Sequence, residues 1–292
     1  MKLIDTFMYF DEDMLLDIRL NILNKYVSKF IICEANYNHN GESKKLRFDI
    51  ENFKKFKDKI IFLPLNEKPS NLVEVKENSG GDTESAILDN ALRRENFQRN
   101  YLIKGIEKFE DNDLICISDI DEIPNLENFY YKKKITIFQH KMFHYKLNLE
   151  HPNFLWTGSK ICKKKNLISP QWLRNIKTKI YPLWRLDITF SKKKYNNIEI
   201  INDGGWHFTN IKTADKIHHK MKNFLHHYEY QDSGIGISDI KERIQNRRVL
   251  YDYKVDQRKN KWNSDAELKV FSIDKLPNYI RKNKDKFRDW LE

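Results

Sequence analysis

Leu114-Ile115-Cys116-Ile117-Ser118-Asp119-Ile120-Asp121-Glu122-Ile123-Pro124 is the stretch whose reading decides the fold. Its first four residues form a continuous apolar run, the pattern of a strand buried on both faces of a parallel sheet. The run delivers two aspartates, one residue apart, to the strand's carboxyl end. In open α/β sheets ligands sit at that edge. Carboxylates at i and i+2 leave an extended chain on the same side. Two hard oxygen ligands with room for water and phosphate oxygens suit Mn2+ or Mg2+. Pro124 ends the strand and stiffens the turn. Acidic turns also merely cap a following element, so the surroundings must decide between the two.

Upstream of this turn the chain alternates. Leu3 to Phe10 reads as a strand. A helix pattern follows, capped by Asp11 or Asp13, with Met14, Leu15, Ile18, Ile22, Leu23 and Tyr26 at helical spacing. Lys29 to Glu34 reads as a buried strand, Ile50 to Phe56 as a short helix and Ile60 to Leu65 as a further strand. This is the β-α-β-α-β rhythm of a parallel sheet with helices on its faces. The polar residues 66–83, with Pro69, Gly80 and Gly81, read as a surface loop. The longest helical pattern, Glu84 to Phe109, leads into the strand that carries the acidic turn.

Downstream the rhythm changes. Ile135 to Leu149 is strand-like and aromatic, and residues 150–200 are mixed, with Trp156, Trp172 and Trp184. A short strand, Ile198 to Ile201, runs into Asn202-Asp203-Gly204-Gly205-Trp206-His207. Thr213 to Tyr228, Ser238 to Tyr251 and Asn278 to Trp290 read as helices. The expected architecture is therefore α/β, with a helical carboxyl-terminal part: one domain over 1–230 and a helical extension over 231–292 packed on it.

Composition bounds the function. The 292 residues include 53 Lys plus Arg against 42 Asp plus Glu, a net charge of +11, and 40% are hydrophobic. That apolar share builds a sizeable core and excludes wholesale disorder. No window approaches the ~20 apolar residues that span a bilayer, and Asp5 interrupts the place of a leader's apolar stretch. The expectation is a cytoplasmic protein. The basic excess raises nucleic-acid binding as an alternative, but no zinc-finger, RNP or helix-turn-helix signature accompanies it. The triplets Lys132 to Lys134, Lys163 to Lys165 and Lys192 to Lys194 read as solvated surface, with peripheral contact to an anionic membrane as a further use. Cys33 and Cys116 sit in apolar runs as core thiols, and an odd count of three cysteines gives no disulfide or metal framework.

Two enzyme classes place paired aspartates on such a turn. Haloacid-dehalogenase-like phosphohydrolases do so, although Ile123 occupies their Thr/Val place and no convincing later lysine and acidic pair appears. Nucleotide-sugar transferases of the GT-A fold do so as well. Asp5-Thr6-Phe7-Met8-Tyr9-Phe10-Asp11-Glu12, Leu15 to Asn21, Lys29 to Asn36, Arg93-Arg94-Glu95 with Gln98-Arg99-Asn100, the acidic turn itself and Gly204-Gly205-Trp206-His207-Phe208 occur in order. In these stretches the chain resembles glycosyltransferase family 17, the β-1,4-mannosyl-glycoprotein N-acetylglucosaminyltransferases, in a short bacterial or viral form.

The resemblance implies a GT-A-like, Rossmann-type mixed sheet flanked by helices. It also implies a UDP-sugar donor with GlcNAc as the first choice of sugar, a divalent metal and inversion at the anomeric carbon. The acceptor expected is a glycan or lipid-linked glycan. Asp119 and Asp121 would hold Mn2+ or Mg2+ against the diphosphate, with His207 as a third ligand or a phosphate donor. Lys220 would reach the diphosphate. Of Arg93, Arg94 and Arg99, which cannot all face the nucleotide from one helix, Arg94 is preferred and then Arg93. Thr6, Phe7 and Glu34, at the ends of the first two strands, would hold the nucleoside. Inversion needs a general base for the acceptor hydroxyl. Asp203, Glu150, Asp187 and Glu122 are the candidates, with Asp203 taken first. Glu122 has an alternative role in ordering water on the metal. The aromatic residues from Tyr145 to Trp184 suit sugar stacking as a group.

Overall fold

The computed structural model describes residues 1–76, 81–182, 184, 186–188, 190–251, 262, 264 and 266–292. The amino-terminal half follows the alternating pattern. It contains β1 (Leu3–Met8), α1 (Asp13–Leu23), β2 (Lys29–Ala35), a 3-10 helix (Ile50–Lys59) and β3 (Ile60–Leu65). Then come α2 (Gly81–Tyr101), α3 (Ile103–Ile106) and β4 (Leu114–Ile117). These strands lie parallel in the order β3-β2-β1-β4, so their carboxyl ends share one edge. Ile4, Phe30, Ile31, Ile32, Ile115 and Ile117 have no exposed surface. Each such side chain stabilises the fold by roughly 1.5–3 kcal/mol.

The second half adds β5 (Glu122–Pro124), β6 (Ile135–His144), β7 (Leu149–Lys163), α4 (Pro170–Arg174), β8 (Ile198–Ile201) and β9 (Gly205–Thr209). It closes with α5 (Ala214–Asn223), α6 (His227–Asp232), α7 (Ile237–Gln245), β10 (Lys269–Val270) and α8 (Asn278–Lys282). The full sheet runs β3-β2-β1-β4-β7-β6-β9-β5, with β8 beside β6 and β10 beside β7. β7 is antiparallel to both β4 and β6, which makes the sheet mixed. A large mixed sheet flanked by helices is consistent with the GT-A-like expectation.

Several boundaries differ from the sequence reading. β7 spans 15 residues where only mixed structure was expected, and it contains both Pro152 and Gly158. The β6–β7 pairing skips from Lys141↔Leu155 to Phe143↔Glu150, so Pro152 falls in an irregularity where no ladder bond is asked of it. Gly158 lies against β6: a Cβ there would stand 2.5 Å from ring atoms of His140. Neither Asp11 nor Asp13 caps α1. Glu12 stands at the cap, and its carboxylate turns back to accept from the N–H groups of Phe10 and Asp11, both at 3.1 Å. Asp11 instead pairs with Lys212, and Asp13 accepts from Tyr9 Oη. The helix expected over Thr213 to Tyr228 breaks at Phe224, whose backbone is extended. The expected loop over 66–83 gives way to α2 at Gly81, and residues 77–80, Gly80 among them, lie outside the described residues.

The carboxyl-terminal residues contribute a strand as well as helices. α8 packs on α1, where Tyr279 Oη donates to Asp17 at 2.8 Å. Leu276, Ile280 and Phe287 share a core cluster with Leu16 and Ile18. All three cysteines are buried and unbridged. Among the described residues no helix is long and apolar enough to cross a membrane.

Candidate active site

The acidic turn is held from beneath by one side chain. α1 buries Leu15, Leu16, Ile18, Leu20 and Leu23, and on the same face Arg19, with no exposed surface. The Arg19 guanidinium donates to both oxygens of Asp5, at 2.6 and 2.7 Å, and to Ser118 Oγ at 2.5 Å. It also donates to the carbonyls of Asp119, Ile120 and Glu122, at 3.1, 3.3 and 2.7 Å. Burial works against its charge, but Asp5, with a smaller contribution from Glu122, holds the guanidinium above its ordinary value, so it stays ionised. Arg19 thereby fixes the backbone of the turn that presents Asp119 and Asp121.

β9 brings the second half of the site. In its pairing with β5, Glu122 stands opposite His207 and Pro124 opposite Gly205. The approach is tight at Gly205: φ is +147°, and a Cβ would lie 2.2 Å from the Ile123 carbonyl oxygen. Phe208 N donates to Asp121 O at 2.9 Å. His207 Nε2 then faces Asp121 Oδ1 at 3.6 Å, beyond hydrogen-bond range. Lys220 Nζ of α5 stands 4.0 Å from Asp121 Oδ2. Burial would raise the Asp121 carboxyl, yet His207 and Lys220 hold it below the usual range.

Two arginines clamp the other carboxylates. Arg174, at the end of α4, donates to both oxygens of Glu122 at 2.7 Å and to Asp119 Oδ2 at 2.8 Å. Arg99 of α2 donates to Asp119 Oδ1 at 3.0 Å and to Glu95 at 2.7 Å. Trp156 Nε1 and the Asp119 N–H also donate to Glu122, at 2.5 and 2.9 Å. Burial pushes the Glu122 carboxyl up, but Arg174, His207 and the Asp119 N–H together hold the group well below the usual carboxylate range. α4 is itself pinned: Ser169 caps it, and Lys160 Nζ donates to the carbonyls of Arg174 and Ile176 at 2.5 and 2.7 Å.

Asp119, Asp121, Glu122, Arg99, His207 and Lys220 open onto a cleft of about 550 Å³ at the carboxyl edge of the parallel strands. Its walls include Tyr9 and Phe10 beyond β1, His39, Gln98, Trp156, Asn210 and the Phe224–His226 break between α5 and α6. Asn38 Nδ2 donates to Asn223 Oδ1 at 2.7 Å and ties the two sides together. The floor is rich in carboxylates, and Lys220 and the two arginines counter their charge, an arrangement that suits a ligand with both phosphate and hydroxyl groups.

The family model of glycosyltransferase family 17 matches residues 1–291. The chain belongs to glycosyltransferase family 17. It is also similar to the human and rat proteins named β-1,4-mannosyl-glycoprotein 4-β-N-acetylglucosaminyltransferase, 28% identical to each over 123 residues. The match covers 41% of this chain and 21% of each relative, so the chain aligns with about a fifth of their length.

In this family 17 chain the expected site residues separate into two groups. Asp119, Asp121, Glu122, His207, Lys220 and Arg99 all line the cleft. The others stand elsewhere. Arg93 pairs with Asp89 and donates to Asn71 O at 2.7 Å, and Arg94 donates to His39 O at 3.0 Å. The order of preference among the arginines is thus reversed: Arg99 reaches the acidic turn. Thr6 donates to Cys116 O, and Phe7 lies under the Arg19 guanidinium, so Met8, Tyr9 and Phe10 take the cleft wall in their place. Glu34 is spent within the protein, accepting from Lys44 Nζ and from the N–H groups of Arg47 and Phe48.

Of the four base candidates, three lie off the cleft. Asp203 is exposed on a left-handed backbone and pairs with Lys141 at 3.0 Å. Glu150 pairs with the same lysine at 3.8 Å, and Asp187 with Lys194 at 3.0 Å. Glu122 lines the cleft, but its oxygens are saturated and its charge is held by Arg174, which makes it a poor proton acceptor. Among the aromatic residues of 145–184, Trp156 lines the cleft, whereas Trp184 points to solvent.

Sequence reasoning missed Arg19 and Arg174, and it left Trp156 inside a group of aromatic residues without singling it out. Arg19 carried a signal: a charge within a leucine stripe needs a buried partner. Arg174 carried none, because its partners lie 52 and 55 residues away.

Proposed function

We propose that the chain transfers a sugar, GlcNAc in the first instance, from a UDP donor to a glycan hydroxyl with inversion at the anomeric carbon, in a metal-dependent reaction. The observation that carries this is the meeting of Asp121 and His207 in the cleft. They are brought there by the β5–β9 register and stand 3.6 Å apart. That is too far for a hydrogen bond and about the span that two ligands of one ion keep when each is ~2.1 Å from it. A carboxylate and an imidazole suit Mn2+ and leave the remaining positions to phosphate oxygens and water. Among the described residues no group of three His, Cys, Asp or Glu side chains that could hold a metal forms, so substrate oxygens and water would have to complete this site. The ion would supply positive charge to the departing diphosphate.

Asp119 has a different part from the one its motif suggests. Arg99 and Arg174 hold its two oxygens, so under this reading it serves as an anchor for the turn. The same clamp leaves a haloacid-dehalogenase-like hydrolase without a free nucleophile. Lys220, 4.0 Å from Asp121 and on the cleft wall, would offer its ammonium to the donor's phosphates, and Trp156 would offer a face for a sugar ring. UDP release from a panel of nucleotide sugars, read with Mn2+ and a set of glycan acceptors, tests the reading. Turnover of UDP-GlcNAc is expected. Phosphate release with no transfer would overturn it.

A further inference from the structure

We propose that the surface between Lys177 and Lys193 docks this protein on an anionic lipid membrane. Lys177 N donates to Lys193 O at 2.9 Å, so the stretch leaves and rejoins the body at one place, three residues beyond Arg174. Between those ends Ile180, Trp184 and Phe190 are 64%, 79% and 89% exposed. Single exposed apolar side chains are ordinary; three large ones this close in sequence, flanked by lysines, are the observation on which the proposal rests. Lys177, Lys179, Lys192 and Lys193, all exposed, flank them. The acid of this stretch, Asp187, is matched by Lys194 at 3.0 Å.

The chemistry selects the partner. An indole and a phenyl ring with lysines beside them suit the boundary between headgroups and acyl chains. Lysines near an anionic leaflet add attraction that salt screens. A single-stranded nucleic acid would use the rings and the lysines, but it gives an exposed isoleucine no apolar phase to enter. The inference does not depend on the proposed transfer reaction, since binding is read without turnover. Docking here would set α4, and with it the Arg174 side of the cleft, close to the lipid surface.

The experiment is co-sedimentation of the full chain with vesicles of phosphatidylcholine alone and of an equimolar phosphatidylcholine–phosphatidylglycerol mixture, at low and high salt. The expected result is binding to the mixed vesicles only, weakened by salt. It should fall about tenfold or more in both Trp184→Ser/Phe190→Ser and Lys192→Glu/Lys193→Glu. Both double variants change exposed side chains and should keep the parent's thermal midpoint. Trp184 fluorescence, isolated as the difference between parent and Trp184→Phe, should shift to the blue on binding. The proposal is overturned if the parent ignores the mixed vesicles or binds both kinds equally. It is overturned equally if Trp184→Ser/Phe190→Ser binds as the parent does, or if single-stranded RNA binds and vesicles do not.

Discussion

Arg174 grips Glu122 with both arms of its guanidinium, each at 2.7 Å, and so joins the end of α4 to the turn that carries Asp119 and Asp121. Glu122 has no exposed surface, which gives the pair its energetic weight. Removing one partner of a buried pair leaves an uncompensated charge, at a cost of about 3–5 kcal/mol.

Arg174→Met should therefore lower stability by about 3 kcal/mol, seen as a lower denaturant midpoint with an unchanged slope. Arg174→Lys should not rescue it, because a point ammonium cannot bridge Glu122 and Asp119 in a fork. Adding Glu122→Gln to Arg174→Met should recover part of the loss. Equal stability of Arg174→Met and the parent would remove Arg174 from this account.

Gly205 makes the β5–β9 approach possible. Gly205→Ala places a Cβ 2.2 Å from the Ile123 oxygen on a backbone with φ +147°. Strain and overlap together should cost about 3 kcal/mol. For a chain of this size that is a fall of about 5 °C in thermal midpoint. Because β9 also carries His207, donor binding should fall with it. A variant of parental stability would show that the register tolerates a side chain.

Much of the fold was legible because burial on both faces writes itself as unbroken apolar runs. β2 and β4 each carry such a run, whereas Asp5 and Thr6 interrupt β1, and the polar stretches between the strands mark the connections. β5 was not legible, being three residues long and defined only by its partner. β7 was hidden by Pro152 and Gly158, whose irregularities make sense only against β6. At the site, the motif and its order allowed the meeting of Asp119, Asp121 and His207 in one cleft to be read, but not their roles. Glu34 shows the limit of such reading: a strand-end carboxylate looks the same whether a ligand or the backbone of Arg47 and Phe48 takes its oxygens. The arginines could not be ranked either, since helical spacing says which side chains share a face and not which face meets the turn.

His140 and His144 are buried in β6 and held neutral: burial pushes His140 down to about 3, and His144 well below its ordinary value. Their folded pKa lies below the unfolded value, so the unfolded chain takes up protons first as pH falls. For His140 the contribution to stability is complete above about pH 6.5 and is lost progressively between about 6.5 and 3, and His144 acts in the same direction. Each contributes a slope of at most about 1.4 kcal/mol per pH unit within that window. Denaturant midpoints measured from pH 7 to 4 should fall steeply, and His140→Asn should flatten the curve. An unchanged slope in that variant would place the acid sensitivity elsewhere.

The pairing of Asp121 with His207 as a metal and donor site is the central claim, and calorimetric titration of UDP-GlcNAc with and without Mn2+ tests it most directly. The account predicts tight binding only with Mn2+, weakened about tenfold or more in both Asp121→Asn and His207→Ala while the thermal midpoint of each ligand-free variant stays near the parent's. Equal affinity in the absence of Mn2+, or undiminished Mn2+-dependent binding in both variants, would contradict it.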